Sequence, residues 1–262
     1  MAYFISTDEL SNILSNKTVK VIDLREPEKY LQGHIPQAIN VDSNMFFSKT
    51  PDGFITLPDV GSLESYLRKK GINDKDTLVL VDDVFNLNCS LAAWIFHYYN
   101  HQNVMLLDGA LTKWIIEKRP MTTETHEYEE GDINLTTRNE DILITRDELL
   151  MSIQSKEYLI VDNRSEYALE SDNMGGKIPG AIHFWWMDAF EEHPDYFVLK
   201  PKSKIKNLLL EKGIHEGVPI ILYCETAPES ALMYLILKEL GYRQIKLYLG
   251  GYEEWRLYCS FI

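Results

Sequence analysis

In PIILYCETAPESALMYLILKELGY, residues 219–242, a cysteine ends an apolar run and a stretch of helical length follows. That placement gives Cys224 two possible roles. A thiol at the junction of a strand and a helix can be a nucleophile, because the backbone N–H groups and dipole of a helix start favour an anion or a thiolate. A small buried thiol closing a strand is the other reading. The residues after it form a loop, Glu225, Thr226, Ala227, Pro228 and Glu229, before a helix expected to begin near Ser230. Two carboxylates beside a thiol raise its pKa and repel a dianionic substrate. Pro228 removes one N–H from the loop, whereas Thr226 offers a hydroxyl.

Other reactive residues are sparse. Cys89 and Cys259 complete a set of three cysteines at wide spacing, which argues against a disulfide framework and against paired zinc ligands. Cys89 reads as packing at a helix start, and Cys259 lies close to the C-terminal end. None of the seven histidines has metal-ligand spacing, so neither a metal nor a cofactor is expected. Arg164 follows Asp162 by two residues after a strand candidate, as Arg25 follows Asp23. Both pairs read as ion pairs bracing a turn, and Arg164 is also a candidate substrate ligand.

The elements that would position Cys224 occur twice. FISTDEL near the start is answered by LITRDEL at 143–149, each with a hydroxyl residue three positions before a glutamate, the signature of a capping box. VIDLREPEKYLQGHIPQAINV (21–41) is answered by IVDNRSEYALESDNMGGKIPGAIHF (160–184), TLVLVDD (77–83) by PIILYCE (219–225), and LLDGALTKW (106–114) by LYLGGYEEW (247–255). Matched points lie 139 to 143 residues apart throughout. In this register Asp82 stands where Cys224 stands. Each copy alternates short apolar runs with amphipathic stretches, which implies βαβ units and mostly parallel α/β sheets flanked by helices. Strands are expected at 19–23, 77–82 and 103–107, then at 158–162, 219–223 and 245–249. The polar, acidic stretch 122–141 lacks either periodicity and reads as a surface connector lying over both domains. The expected division is therefore 1–121, a connector at 122–141, and 142–262.

Composition narrows the partners. Among 262 residues, 45% are apolar, and 40 acidic against 26 basic residues give a net charge of −14. That charge weighs against nucleic acid and anionic membranes. MAYFISTDELSNIL lacks a basic region followed by an apolar core, and no stretch approaches a membrane span, so the expected location is cytoplasmic.

The paired D-x-R segments with G-H/K-I-P-x-A-I, the paired G-G/A-x-x-x-W segments and a cysteine after the central strand of the second copy alone resemble the two-domain rhodanese-type sulfurtransferases over nearly the whole chain. The resemblance implies two tandem rhodanese-like domains, the first inactive because Asp82 cannot form a persulfide. In the second, Cys224 would accept sulfur from a donor such as thiosulfate or 3-mercaptopyruvate and pass it to a thiol or cyanide. Residues 225–230 would form the active-site loop, with Thr226 and Arg164 touching substrate. The implied partners are a small sulfur donor and a thiol acceptor, a thioredoxin-like protein included, for a monomeric enzyme. This loop departs from the family in its two glutamates, in Pro228, and in Ala227 where the family usually carries glycine. Those departures favour an alternative, a non-catalytic tandem module that binds or regulates. A phosphatase or arsenate reductase of the same fold would need an arginine where Ser230 stands.

Overall fold

The computed structural model describes residues 2–83, 85–171 and 175–259. The first copy runs β1 (Phe4–Ile5), α1 (Thr7–Ile13), β2 (Val19–Asp23), α2 (Pro27–Gln32), β3 (Ile39–Asn40), the hairpin β4 (Ser48–Lys49) and β5 (Ile55–Thr56), α3 (Val60–Lys69), β6 (Thr77–Val81), α4 (Leu87–Tyr98), β7 (Val104–Leu107) and α5 (Ala110–Ile116). The second runs α6 (Arg146–Ser155), β8 (Leu159–Asp162), α7 (Glu166–Glu170), β9 (Ile182–His183), β10 (Phe190–Glu192), β11 (Phe197–Leu199), α8 (Lys202–Glu211), β12 (Ile220–Tyr223), α9 (Pro228–Glu239), β13 (Ile245–Leu247) and α10 (Gly251–Cys259).

Each copy opens with the capping box its sequence announces. Ser6 Oγ accepts the Glu9 N–H at 3.2 Å while Glu9 Oε2 accepts the Ser6 N–H at 2.9 Å. Thr145 and Glu148 repeat the exchange at 3.3 and 2.8 Å. Two otherwise orphaned donors are satisfied at each helix start.

The main sheets are parallel and share one order. The first is β1-β7-β6-β2-β3, and the second is β13-β12-β8-β9, with Leu143 bridging Leu247 where the first copy has β1. The six expected strands are present, with ends within two residues of those read from the sequence. The two-residue strands β1, β3 and β9 are too short to leave an alternating signal. Central strands β6 and β12 are buried, as are the two helices that follow them. α4 carries LAAWIF and α9 carries ALMYLIL, apolar on all sides, as a helix enclosed by its neighbours must be.

The chain divides into two compact units. Met1–Ser48, Leu57–Asn139 and Glu192–Val198 form one; Lys49–Thr56, Glu140–Glu191 and Leu199–Ile262 form the other. Each takes a short segment from the other copy. Within the first unit the rings of Phe85 and Phe197 meet at 4.9 Å, and within the second those of Phe54 and Tyr258 meet at 6.0 Å.

Through residue 139 the connector belongs to the first unit. Ile133 and Leu135 are fully buried. The Gly131 N–H donates to the Arg68 carbonyl at 2.8 Å, Arg68 Nε donates to the Ile133 carbonyl at 2.8 Å, and the Leu135 N–H donates to Glu64 Oε2 at 2.8 Å. Two apolar side chains among polar neighbours are enough to anchor an extended strap, although they are too few to show periodicity. Among the described residues no helix is long and apolar enough to cross a membrane.

Candidate active site

β8 and β12 are neighbours in register, Asp162 opposite Tyr223, so the residues that follow them emerge together at the carboxyl edge of the sheet. That edge is where open parallel sheets bind ligands. From β8 come Asp162, Asn163 and Arg164; from β12 come Cys224 and its loop.

Arg164 is held from several sides. Its Nε donates to Asp162 Oδ1 at 3.0 Å and its Nη2 to Asp162 Oδ2 at 2.7 Å and to the Gly176 carbonyl at 2.7 Å. Nη1 donates to Glu225 Oε2 at 3.1 Å, and the guanidinium lies 3.9 Å from the centroid of the Tyr252 ring. Only 1% of the side chain is exposed. The bracing role expected of Asp162 and Arg164 is what the geometry shows, and in the first unit Arg25 does the same with Asp23 and the Gly33 carbonyl. Tyr223 completes the cluster by donating its hydroxyl to Asp162 Oδ2 at 2.6 Å while accepting the Ile178 N–H.

Cys224 is fully buried. Its Sγ accepts the Ala227 N–H at 3.1 Å and lies 3.2 Å from Ser230 Oγ. The loop is shorter than the sequence suggests. α9 begins at Pro228, two residues before Ser230, with the proline at the first helical position, where a missing N–H is tolerated. Ala227 before it adopts φ 87° and ψ −42°, a region where L-residues other than glycine are strained. Glycine would adopt this turn without strain, and here an alanine adopts it. The turn aims the Ala227 N–H at the sulfur.

Two more backbone bonds fix the loop from α10. The Tyr252 N–H donates to the Cys224 carbonyl at 2.8 Å, and the Glu253 N–H reaches the Glu225 carbonyl at 3.4 Å. Such an approach requires Gly251, because a Cβ there would lie 2.1 Å from the Glu225 oxygen.

The electrostatics oppose a resting thiolate. Burial, then the Glu229 carboxylate, push the Cys224 thiol well above its ordinary value, against hydrogen bonding from the Ser230 side chain and backbone. Burial likewise raises the Glu229 carboxyl, with Glu225 and Asp162 adding to the rise and Cys224 and Arg164 opposing it. Thr226 is half-buried, and its hydroxyl makes no hydrogen bond to the protein among the described residues. Lys177 is exposed beyond the Gly176 turn.

The matching loop of the first unit carries its own anion. Asp82 is fully buried; its Oδ1 accepts the Asn86 N–H at 2.9 Å, and its Oδ2 accepts those of Asn88 at 3.1 Å and Cys89 at 3.3 Å. Cys89, packed beneath, has its thiol pushed up by burial and then by Asp82. Asp83, at the position of Glu225, pairs with Lys29 at 2.6 Å.

Two site residues escaped the sequence reading, Tyr223 and Tyr252. They replace Val81 and Leu111 of the first copy. Both therefore share with Cys224 the one available signal, a polar residue in the second copy opposite a different residue in the first.

Comparisons with known proteins bear on the duplicated fold. A family model described as a rhodanese-like domain matches residues 6–117 and again 145–258. The sulfur carrier protein TtuD of Thermus thermophilus is 31% identical over 269 residues, covering 96% of this chain and 92% of its own. The thiosulfate sulfurtransferase of Azotobacter vinelandii is 30% identical, covering 96% and 93%. In fold, the chain is similar to the crystal structure of SseA from Escherichia coli, a 3-mercaptopyruvate sulfotransferase, with a TM-score of 0.81 and 23% identity over 96% of this chain and 99% of that one.

Proposed function

This chain belongs to the rhodanese-like family, and from that membership we propose that it is a sulfurtransferase whose second copy works through a persulfide on Cys224. The observation that carries the reading is the surroundings of the sulfur, which lies at the start of α9 with the Ala227 N–H and the Ser230 hydroxyl directed at it. Those donors, with the helix dipole, would stabilise the charge on a thiolate or persulfide.

With thiosulfate, Sγ attacks the outer sulfur, the new S–S bond forms, and sulfite leaves with the electron pair of the broken bond. With 3-mercaptopyruvate the broken bond is C–S, and the enolate of pyruvate leaves. A thiol, a thioredoxin-like protein's included, or cyanide then attacks the outer sulfur and releases Cys224. Thr226, with its hydroxyl uncommitted, is the substrate contact in this scheme. Arg164 acts by holding Glu225 and the turn after β8. Asp82 makes the first copy non-catalytic, since a carboxylate cannot form a persulfide.

Full burial of Cys224 and its raised thiol favour the second reading, a non-catalytic binding module. Intact mass after separate incubation with thiosulfate and 3-mercaptopyruvate decides between them. A gain of one sulfur atom, absent in Cys224→Ser and removed by cyanide or a thiol, is the expected result. No gain from either donor overturns the enzyme reading.

A further inference from the structure

Among the described residues of the second unit, two buried side-chain oxygens have no hydrogen-bond partner, Asn163 Oδ1 and Glu225 Oε1. Both belong to the strand ends that meet at Cys224. Glu225 follows Cys224 directly, and Asn163 is its neighbour across the sheet. The β8–β12 register pairs Asp162 with Tyr223, and the Asn163 N–H extends the ladder by donating to the Tyr223 carbonyl at 2.9 Å. One step further, Asn163 and Cys224 stand side by side, about 5 Å apart, on the sheet face opposite to Tyr223.

The Asn163 amide is fully buried and its orientation is fixed, because Nδ2 donates to the Phe184 carbonyl at 3.0 Å, a bond that Oδ1 cannot make. Oδ1 is the atom left over. In the first copy Leu24 stands here, and its N–H donates to the Val81 carbonyl at the same 2.9 Å, so the backbone does not need the amide. The amide accompanies the cysteine. On Glu225, Oε2 accepts from Arg164 while Oε1 accepts nothing. Thr226 adds a hydroxyl that makes no hydrogen bond to the protein among the described residues. Buried acceptors without donors are rare, since each has given up its hydration for nothing. What is missing is a donor, and because Asp162 and Glu225 exceed Arg164 by one charge, a cationic donor is favoured.

We propose that Asn163 Oδ1 and Glu225 Oε1 receive the N–H groups of a protonated amine on the sulfur acceptor, so that the thiol discharging Cys224 is an aminothiol. This inference rests on the persulfide reading and specifies its acceptor. An ammonium has three hydrogens and no lone pair, which suits two oxygens, one of them anionic, with the Thr226 hydroxyl as a third. The thiolate of the aminothiol attacks the outer sulfur of the Cys224 persulfide and forms the new S–S bond. The bond from Sγ to that sulfur breaks, and Cys224 leaves as a thiolate with the electron pair. The amine keeps its proton throughout, and no oxidant or reductant is needed.

Cysteamine and thiocholine separate hydrogen bonding from charge, because both carry one positive charge two carbons from the sulfur and only cysteamine has N–H groups. Discharge is read as loss of the one-sulfur mass gain, each rate being divided by that thiol's rate with a free disulfide in solution. Cysteamine is expected to be about tenfold faster than thiocholine, the worth of a hydrogen bond to a charged group. Asn163→Leu, which installs the residue of the first copy and alters no charge, is expected to remove that preference. A preference set by the bulk of the methyl groups would survive the substitution.

The 2-aminoethyl and 2-(trimethylammonio)ethyl methanethiosulfonates make the same comparison without a persulfide. Sγ attacks their sulfenyl sulfur, methanesulfinate leaves with the electron pair, and the mixed disulfide is followed on the Cys224 peptide. The same tenfold preference for the aminoethyl reagent, normalised to a free thiol, is expected whether or not thiosulfate or 3-mercaptopyruvate loads Cys224. Equal normalised rates, no labelling by the aminoethyl reagent, or a preference unchanged in Asn163→Leu overturns the proposal, and a sulfur gain from either donor would then leave the persulfide reading standing. Should Asn163→Leu not fold, the comparison of the two reagents on the unaltered protein decides alone.

Discussion

Arg164 Nη1 and Glu225 Oε2 lie 3.1 Å apart, joining the end of β8 to the first residue of the active-site loop across 61 positions of sequence. The guanidinium is already paired with Asp162 and the Gly176 carbonyl, so Glu225 is a second carboxylate on one cation and the three charged groups together carry a net negative charge. The other oxygen of Glu225, Oε1, is buried without a partner.

Replacing Glu225 with glutamine tests what this ion pair does to substrate choice. Removing one negative charge near a dianionic donor is worth roughly 1–2 kcal/mol, so kcat/KM for thiosulfate is expected to rise about tenfold, and about threefold relative to a singly charged donor, which feels half the repulsion. Stability should change by less than about 1 kcal/mol, since Arg164 keeps Asp162. An unaltered ratio between the two donors would show that Glu225 does not set the preference.

The positive φ of Ala227 gives a prediction about folding free energy. Backbone strain of this kind costs on the order of 1–3 kcal/mol in a non-glycine residue, and glycine gives back part of the gain as unfolded-state entropy. Ala227→Gly is accordingly expected to stabilise by about 1 kcal/mol, seen as a higher denaturant midpoint with the same m-value. Destabilisation would mean that the buried methyl group outweighs the strain.

In the first unit, Asp82→Ala removes the acceptor for three backbone donors, Asn86, Asn88 and Cys89. Orphaned buried donors cost about 1–3 kcal/mol each at most, so a loss of about 3 kcal/mol is expected. An anion entering the emptied cradle would restore part of it. Melting of the variant in sulfate and in chloride, each set against the unaltered protein, is the measurement. Equal losses in both salts would show that the cradle takes no free anion.

Cys224 also gives stability a pH dependence. Its folded pKa lies above the unfolded value near 8.5, so the unfolded chain releases this proton first as pH rises. The contribution is complete below pH 8.5 and is lost above it, at about 1.4 kcal/mol per pH unit for one proton. Between pH 8.5 and 9.5 the unaltered protein should lose about 1 kcal/mol more stability than Cys224→Ser. Parallel slopes would contradict a raised thiol.

Much of the fold was legible because it is local and repeated. The capping boxes at Ser6 and Thr145 depend on residues three apart, and the ion pairs of Arg25 and Arg164 on residues two apart. The central strands are apolar runs bounded by polar turns. Cys224 stood out because the copies differ there in register. What escaped was long-range or conformational. The hold of Arg164 on Glu225 joins distant segments, and Ala227 shows nothing in its side chain of the φ it adopts. Pro228 looked like a loop residue and proved to be the first residue of α9, because the missing N–H that breaks a helix interior is harmless at its start. The anchoring of the connector on the first unit rests on Ile133 and Leu135, two apolar residues that count for little in its polar composition.

Asp82 gives the two copies different dependence on what surrounds them. Its carboxylate is tethered to the chain, so the first loop is occupied at any dilution, in any salt and under any sulfur supply. The loop of Cys224 holds a thiol that, on the reading proposed, is charged from outside and discharged again. Its occupancy then follows the ratio of donor to acceptor in solution, while the first loop stays constant, so one chain pairs a variable site with a permanently filled reference of nearly the same build.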